Sequence, residues 1–256
     1  MRTVNEFAVL GAVAGHFFGA FFLLITVAVA ARRGLDVGRL AFPALLALGG
    51  AAVAAASLLR LPGWARRRLS QMEQIAALFA HLEQTHGRLD ILVNNAATNP
   101  YFGPITETDP AIFQKTVDVN IRGYFYMCSH GTKLMAKSGG GAIVNVASVN
   151  GVVPGFQQGI YSITKAAVIS MTKAFAVECA EAGVRCNALL PGLTDTKFAS
   201  VLVNTPAILK QALAHVPMRR VAQPSEMGGA ALYLASAASS YTTGTTLNVD
   251  GGYLCV

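Results

Sequence analysis

A hydroxyl, a phenol and an ammonium stand close together near the middle of this chain. Ser148 ends the apolar run Ala142-Ile143-Val144-Asn145-Val146-Ala147, and Tyr161-Ser-Ile-Thr-Lys165 opens the next helical stretch thirteen residues later. That arrangement can hold all three groups around one carbonyl. A phenol with its ordinary pKa of about 10 is too weak an acid to work near neutrality, and a nearby cation is the simplest way to lower it. Tyr161 and Lys165 are spaced i and i+4, so a helix puts them on one face.

The elements that must position these residues begin near Met72, where helical and strand patterns start to alternate. The pattern predicts helices at about 72–86, 110–137 and 160–182, and strands at 89–95, 142–147 and 184–190. Helices near 206–214 and 224–236 and a last strand at 245–249 follow. Strands with apolar character on both faces, separated by helices, read as βαβ units of an α/β fold. They make half of a doubly wound parallel sheet. The run Gly139-Gly140-Gly141 is read as a turn, because a strand follows it where a phosphate-binding loop would need a helix.

Length and charge narrow the function classes. The 256 residues suit one α/β domain with a buried core. The net charge of +7 belongs to the N-terminal quarter, where eight arginines face only Glu6 and Asp36. The remaining twelve Lys and Arg nearly balance eleven Asp and Glu. With no basic stripe interleaved with aromatics, nucleic-acid binding is set aside. Four scattered cysteines without a CxxC pair, and five scattered histidines, point to a reduced compartment and no metal site.

The residues of 72–256 resemble the short-chain dehydrogenase/reductase family. The resemblance rests on Asn94-Asn95-Ala96-Ala97 after a strand, Asp118-Val-Asn120 in a helix, Ser148, Tyr161-x-x-x-Lys165, Pro191-Gly192-Leu-Thr-Asp-Thr196 after a strand, and Asp250-Gly251-Gly252 near the end. It implies a Rossmann-like fold and hydride transfer between NAD or NADP and a ketone or secondary alcohol. By the same resemblance Tyr161 is the general acid or base. Lys165 lowers its pKa and bonds the nicotinamide ribose, Ser148 holds the substrate oxygen, and Asn120 binds a water linking Lys165 to solvent. Asn95 and Ala96 border the cofactor. Pro191, Gly192, Thr194 and Thr196 lie at a strand's carboxyl end, where they contact the carboxamide and phosphates.

Within the family, Asn95-Ala-Ala-Thr-Asn-Pro-Tyr-Phe-Gly103 resembles the carbonyl-reductase branch, which leans toward NADP. Phe198, Val201, Leu202, Val203, Ile208, Leu209 and Met218 either line an apolar pocket for a small hydrophobic ketone or pack a helix. The resemblance also implies a homo-oligomer built on the helices at 110–137 and 160–182, with the tail joining a second contact.

Residues 1–70 do not follow the family pattern. The family opens with a glycine-rich turn at a helix N-terminus, and the only counterpart is Ala14-Gly15-His-Phe-Phe-Gly19, with Phe21 in place of the third glycine. Residues 7–31 and 40–59 carry no charge and are about as long as membrane spans, and Gly11, Gly15 and Gly19 recur every four residues. Arginines flank both segments. A single span at 7–31 followed by a surface-lying segment therefore fits better than a hairpin, with the catalytic part in the cytoplasm. Three readings stand: a membrane anchor replacing the first half of the sheet, a diverged version of that half, or a frame error in a GC-rich gene. The lack of lysine and the abrupt junction near Met72 favour the last. The division is thus 1–70, atypical, apolar and Arg-rich, and 71–256, catalytic. Without a first strand beside it, Ile91-Leu92-Val93 is expected to be an apolar edge.

Overall fold

Helix α1 (Gly63–His86) opens the computed structural model, which describes residues 63–255. The spans at 7–31 and 40–59, the glycines at 15 and 19 and the frame-error reading lie outside the described residues. Ser70–Val256 form one compact unit. After α1 come β1 (Ile91–Asn94), α2 (Pro110–Val117), α3 (Tyr124–Lys137), β2 (Gly141–Val146), α4 (Gly159–Cys179) and β3 (Val184–Pro191). Helices α5 (Ser200–Asn204), α6 (Pro206–Ala214) and α7 (Gly228–Ala235) precede β4 (Thr246–Val249).

Asp109 starts α2 by accepting from the Ala111 N–H at 2.7 Å, with Pro110 in the first turn where no N–H is needed. The rod expected over 110–137 contains a π-helical turn, Asp118–Gly123, joining α2 to α3. The turn carries the fully buried Asn120. Such wide turns leave no periodicity signal, so the hydrophobic pattern reads straight through it.

The four strands are all parallel and lie in chain order β1-β2-β3-β4. Leu92, Ile143 and Cys186 are in register and share one face. They pack there with Phe79 of α1, with Cys128, Leu134 and Met135 of α3, and with Ala176 of α4. On the opposite face Val144 and Leu189 pack on Leu234 of α7. Ile91 and Val93 of β1 project to this second face and remain 48% and 49% exposed, as expected of an apolar edge.

Two close approaches set the sheet's register. A Cβ on Gly140, whose φ is +116°, would lie 2.4 Å from the Gly183 carbonyl oxygen, so the turns leading into β2 and β3 can touch only with glycine there. Arg185 on β3 donates to the Leu234 and Ser236 carbonyls at 3.1 Å each and to Ser239 Oγ at 2.7 Å. Its guanidinium thus caps the carboxyl end of α7 and pins that helix to the sheet. All four strands deliver their carboxyl ends to one edge, where open α/β sheets bind ligands.

Removing the centre of the larger cluster should show its weight. Ile143→Ala is expected to lower unfolding free energy by about 2–5 kcal/mol in a denaturant titration. Val177→Ala, at an 81% exposed position, should change it by less than about 0.5 kcal/mol.

Candidate active site

Strand β2 ends at Val146, and Ser148 follows with extended backbone, its Oγ accepting from the Asn150 N–H at 3.1 Å to cap the short turn Val149–Gly151. That turn lies directly against α4: a Cβ on Gly151 would fall 2.8 Å from the Lys165 carbonyl. The first two turns of α4 therefore bring Tyr161 and Lys165 to the end of β2. Tyr161 is 7% exposed and Lys165 only 1%.

Lys165 Nζ donates to the Val146 carbonyl oxygen at 2.7 Å. It lies 5.6 Å from the ring centre of Tyr161 and 5.4 Å from that of Tyr124. Tyr124 Oη donates to the same Val146 oxygen at 3.1 Å. The ammonium is thus held by one carbonyl and two aromatic faces. Burial lowers its pKa to about 8. For Tyr161 burial wins in the other direction, pushing the phenol up to about 12, while its hydrogen bond with Ser148 pulls it down.

The expected lowering of Tyr161 by Lys165 is therefore corrected. The lysine charge spends itself on a ring face and a carbonyl, and desolvation of the phenolate outweighs what attraction remains. The phenol is the protonated partner at neutrality.

Asn120 does not place its side chain toward Lys165. Its Oδ1 accepts from the Thr98 N–H at 2.8 Å, and its Nδ2 donates to the Thr98 carbonyl and to Thr164 Oγ1, each at 3.0 Å. It braces the loop after β1 against α4, and its amide hydrogens are fully used there. Asn94 is also turned inward, donating to Asn145 Oδ1 at 2.9 Å, and Asn145 donates to Thr172 Oγ1 at 3.0 Å. Asn95 and Ala96 remain exposed at the carboxyl end of β1.

At the end of β3, Pro191 is the last strand residue, and Gly192 donates to the Val249 carbonyl at 2.9 Å. A Cβ on Gly192 would lie 2.7 Å from Asp250 Cα, so glycine is required where the exits of β3 and β4 meet. Thr194 Oγ1 donates to the Gly192 carbonyl at 3.1 Å, and Thr196 Oγ1 accepts from the Ala199 N–H at 3.2 Å. Of the apolar residues expected near a pocket, Phe198 reaches the site. Its ring centre is 5.6 Å from that of Tyr161.

Sequence patterning missed Tyr124 and the Val146 carbonyl. Tyr124 reads as an ordinary aromatic on a helix, and no side-chain pattern marks a backbone acceptor. It also missed the bond from Asn99 Nδ2 to Gln158 Oε1, at 3.1 Å, between the β1 exit loop and the start of α4. A buried ammonium with two adjoining hydroxyls, set at the carboxyl edge of the sheet, suits the ribose and carboxamide end of a nicotinamide nucleotide.

Known proteins share this scaffold. Residues 66–254 match the family described as enoyl-(acyl carrier protein) reductase. Dehydrogenase/reductase SDR family member 4 of Bos taurus is 37% identical over 73% of this chain and 67% of its own length. An uncharacterized oxidoreductase of Thermotoga maritima is 38% identical over 68% of this chain and 70% of that protein. The gluconate 5-dehydrogenase of Burkholderia cenocepacia, solved in complex with NADP and tartrate, superposes with a TM-score of 0.70 at 33% identity over 72% of each chain. This chain belongs to the short-chain dehydrogenase/reductase family. It is an NAD(P)-dependent dehydrogenase of that family, acting on a small molecule.

The lysine's burial has a measurable signature. Its pKa falls from 10.5 to about 8 on folding, so between those values the unfolded chain binds more protons, and stability rises with pH. Tyr161, raised from 10 to about 12, acts oppositely only above its ordinary value. From pH 8 to 10 the wild type should therefore gain about 1–2 kcal/mol relative to Lys165→Met in denaturant titrations. A constant difference would mean that the ammonium is not desolvated.

Proposed function

We propose that the protein transfers a hydride between a nicotinamide cofactor and a ketone or secondary alcohol, with Tyr161 as general acid in reduction and general base in oxidation. The observation that carries this reading is the meeting of Ser148, Tyr161 and Lys165 at the exit of β2, with the phenol held protonated at neutrality. When bound, the nicotinamide supplies or accepts the hydride.

In reduction Tyr161 Oη gives its proton to the carbonyl oxygen as negative charge develops there. The Ser148 hydroxyl donates a second hydrogen bond to that oxygen. Lys165, 5.6 Å from the Tyr161 ring, supplies positive charge that favours the phenolate left behind, and it holds a ribose hydroxyl. Asn120 keeps the β1 exit loop in place, so that Asn95 and Ala96 border the cofactor while the segment Pro191-Gly192 to Thr196 closes its other side. The bound NADP of the Burkholderia cenocepacia enzyme supports a preference for the phosphorylated cofactor. Phe198 against Tyr161 supports an apolar wall beside the reacting carbon. Exposed Phe113, Phe125 and Val177 on α2, α3 and α4 support a homo-oligomer formed through those helices.

Tyr161→Phe should lower turnover of a ketone by at least about a hundredfold, the scale of one general acid. NADPH binding, followed by nucleotide fluorescence, should stay within about threefold of wild type. Retained turnover would remove Tyr161 from the mechanism. Failure of the wild type to bind the nucleotide at millimolar concentration would leave a scaffold or interaction protein without turnover.

A further inference from the structure

Beside the proton-transfer residues lies a polar pair that the reaction above does not use. Asn99 Nδ2 donates to Gln158 Oε1 at 3.1 Å. Asn99 Oδ1 is buried and has no hydrogen-bond partner in the protein. Both ends of the pair are held in place. The residue before Asn99 has its N–H and its carbonyl bonded to Asn120. Next to Gln158, Gln157 is kept at φ +59° with its carbonyl accepting from the Gly103 N–H at 2.9 Å. A non-glycine residue in that left-handed region persists only where its surroundings hold it.

Gln158 caps the start of α4, and Tyr161 follows three positions later. Residues at i and i+3 on a helix are neighbours, with Cβ atoms about 5–6 Å apart. The orphan oxygen of Asn99 therefore sits about one helical turn from the phenol. A buried acceptor without a partner costs free energy, and working sites recover that cost through the ligand they select. Exchanging O and N in both amides preserves the Asn99–Gln158 bond but leaves an orphan donor in place of the acceptor.

We infer that the Asn99 amide is a specificity element, whose Oδ1 accepts a hydrogen bond from a hydroxyl on the carbon next to the one that reacts. The preferred substrates are then α-hydroxyketones and vicinal diols over bare ketones and simple alcohols. The inference rests on the oxidoreductase reading and assigns its substrate class. Phe198 contributes the apolar side of the same pocket, so the compounds selected carry both a hydroxyl and a hydrocarbon part.

The test compares 3-hydroxybutan-2-one with butan-2-one on the full chain. Two readouts are used: kcat/KM with NADPH, and direct binding by ligand-observed NMR. Wild type should favour the hydroxyketone by about tenfold or more, the size of one buried hydrogen bond. Asn99→Leu should bring that ratio close to one. Asn99→Asp should keep it, because an acceptor oxygen remains while Gln158 can turn its amide to donate. A ratio unchanged in Asn99→Leu, or lost equally in Asn99→Asp, overturns the inference and leaves the pair a loop brace. Wild type that turns over both ketones without preference also overturns it while sparing the oxidoreductase reading. A binding preference that Asn99→Leu abolishes, in a wild type that turns over neither ketone, supports the inference and overturns the oxidoreductase reading. No preference in either readout overturns it outright.

Discussion

A buried ammonium with a carbonyl and two aromatic rings for company is the constraint on which this structure turns. Placing Lys165 at 1% exposure is costly, and the Val146 oxygen at 2.7 Å together with the faces of Tyr124 and Tyr161 offsets part of that cost. The contact ties α4 to the last residue of β2. It places Tyr161 one turn earlier on the same helix face, and it makes Gly151 the residue over which the turn and the helix pass. A shift of α4 by one residue would carry the ammonium away from that carbonyl and the phenol away from Ser148. Helix register, strand exit and catalytic geometry are thus one requirement.

Around that contact the polar groups form a scaffold beneath the site. Asn94, Asn145 and Thr172 link β1, β2 and α4 below the sheet's carboxyl edge. Asn120 and Thr164 link the β1 exit loop to the same helix. Buried amides of this kind are costly unless satisfied, and satisfied they permit few alternative packings. They hold the ends of β1 and β2 level, which is what a flat nicotinamide ring and a small carbonyl compound require. The single turn of π-helix at Asp118–Gly123 carries Asn120 within that scaffold, so a local irregularity serves the site through a brace to Thr98.

Much of this was legible in the chain. Four strands and the long helices are marked by apolar runs and by glycine turns, because burying a strand on both faces leaves a continuous apolar signature. The i, i+4 spacing brought Tyr161 and Lys165 together without any knowledge of the fold. The exposed apolar edge at Ile91 and Val93 followed from counting strands. Less accessible were the π turn, the Asn99–Gln158 bond and the inward rotation of Asn94 and Asn120. Each joins residues more than twenty positions apart or depends on a small change of backbone hydrogen bonding, and neither leaves a local pattern.

The amino-acid order by itself determined which groups are available for proton transfer and on which elements they ride, since helix and strand periodicity are properties of neighbouring residues. Tertiary packing decided how those groups behave. It buried Tyr161 and raised its pKa to about 12, where the lysine alone would have lowered it. It also turned Lys165 onto a carbonyl and left Asn99 with an unused acceptor. Desolvation and hydrogen-bond partnership are set by what surrounds an atom in space, and residue spacing along a chain cannot supply that information.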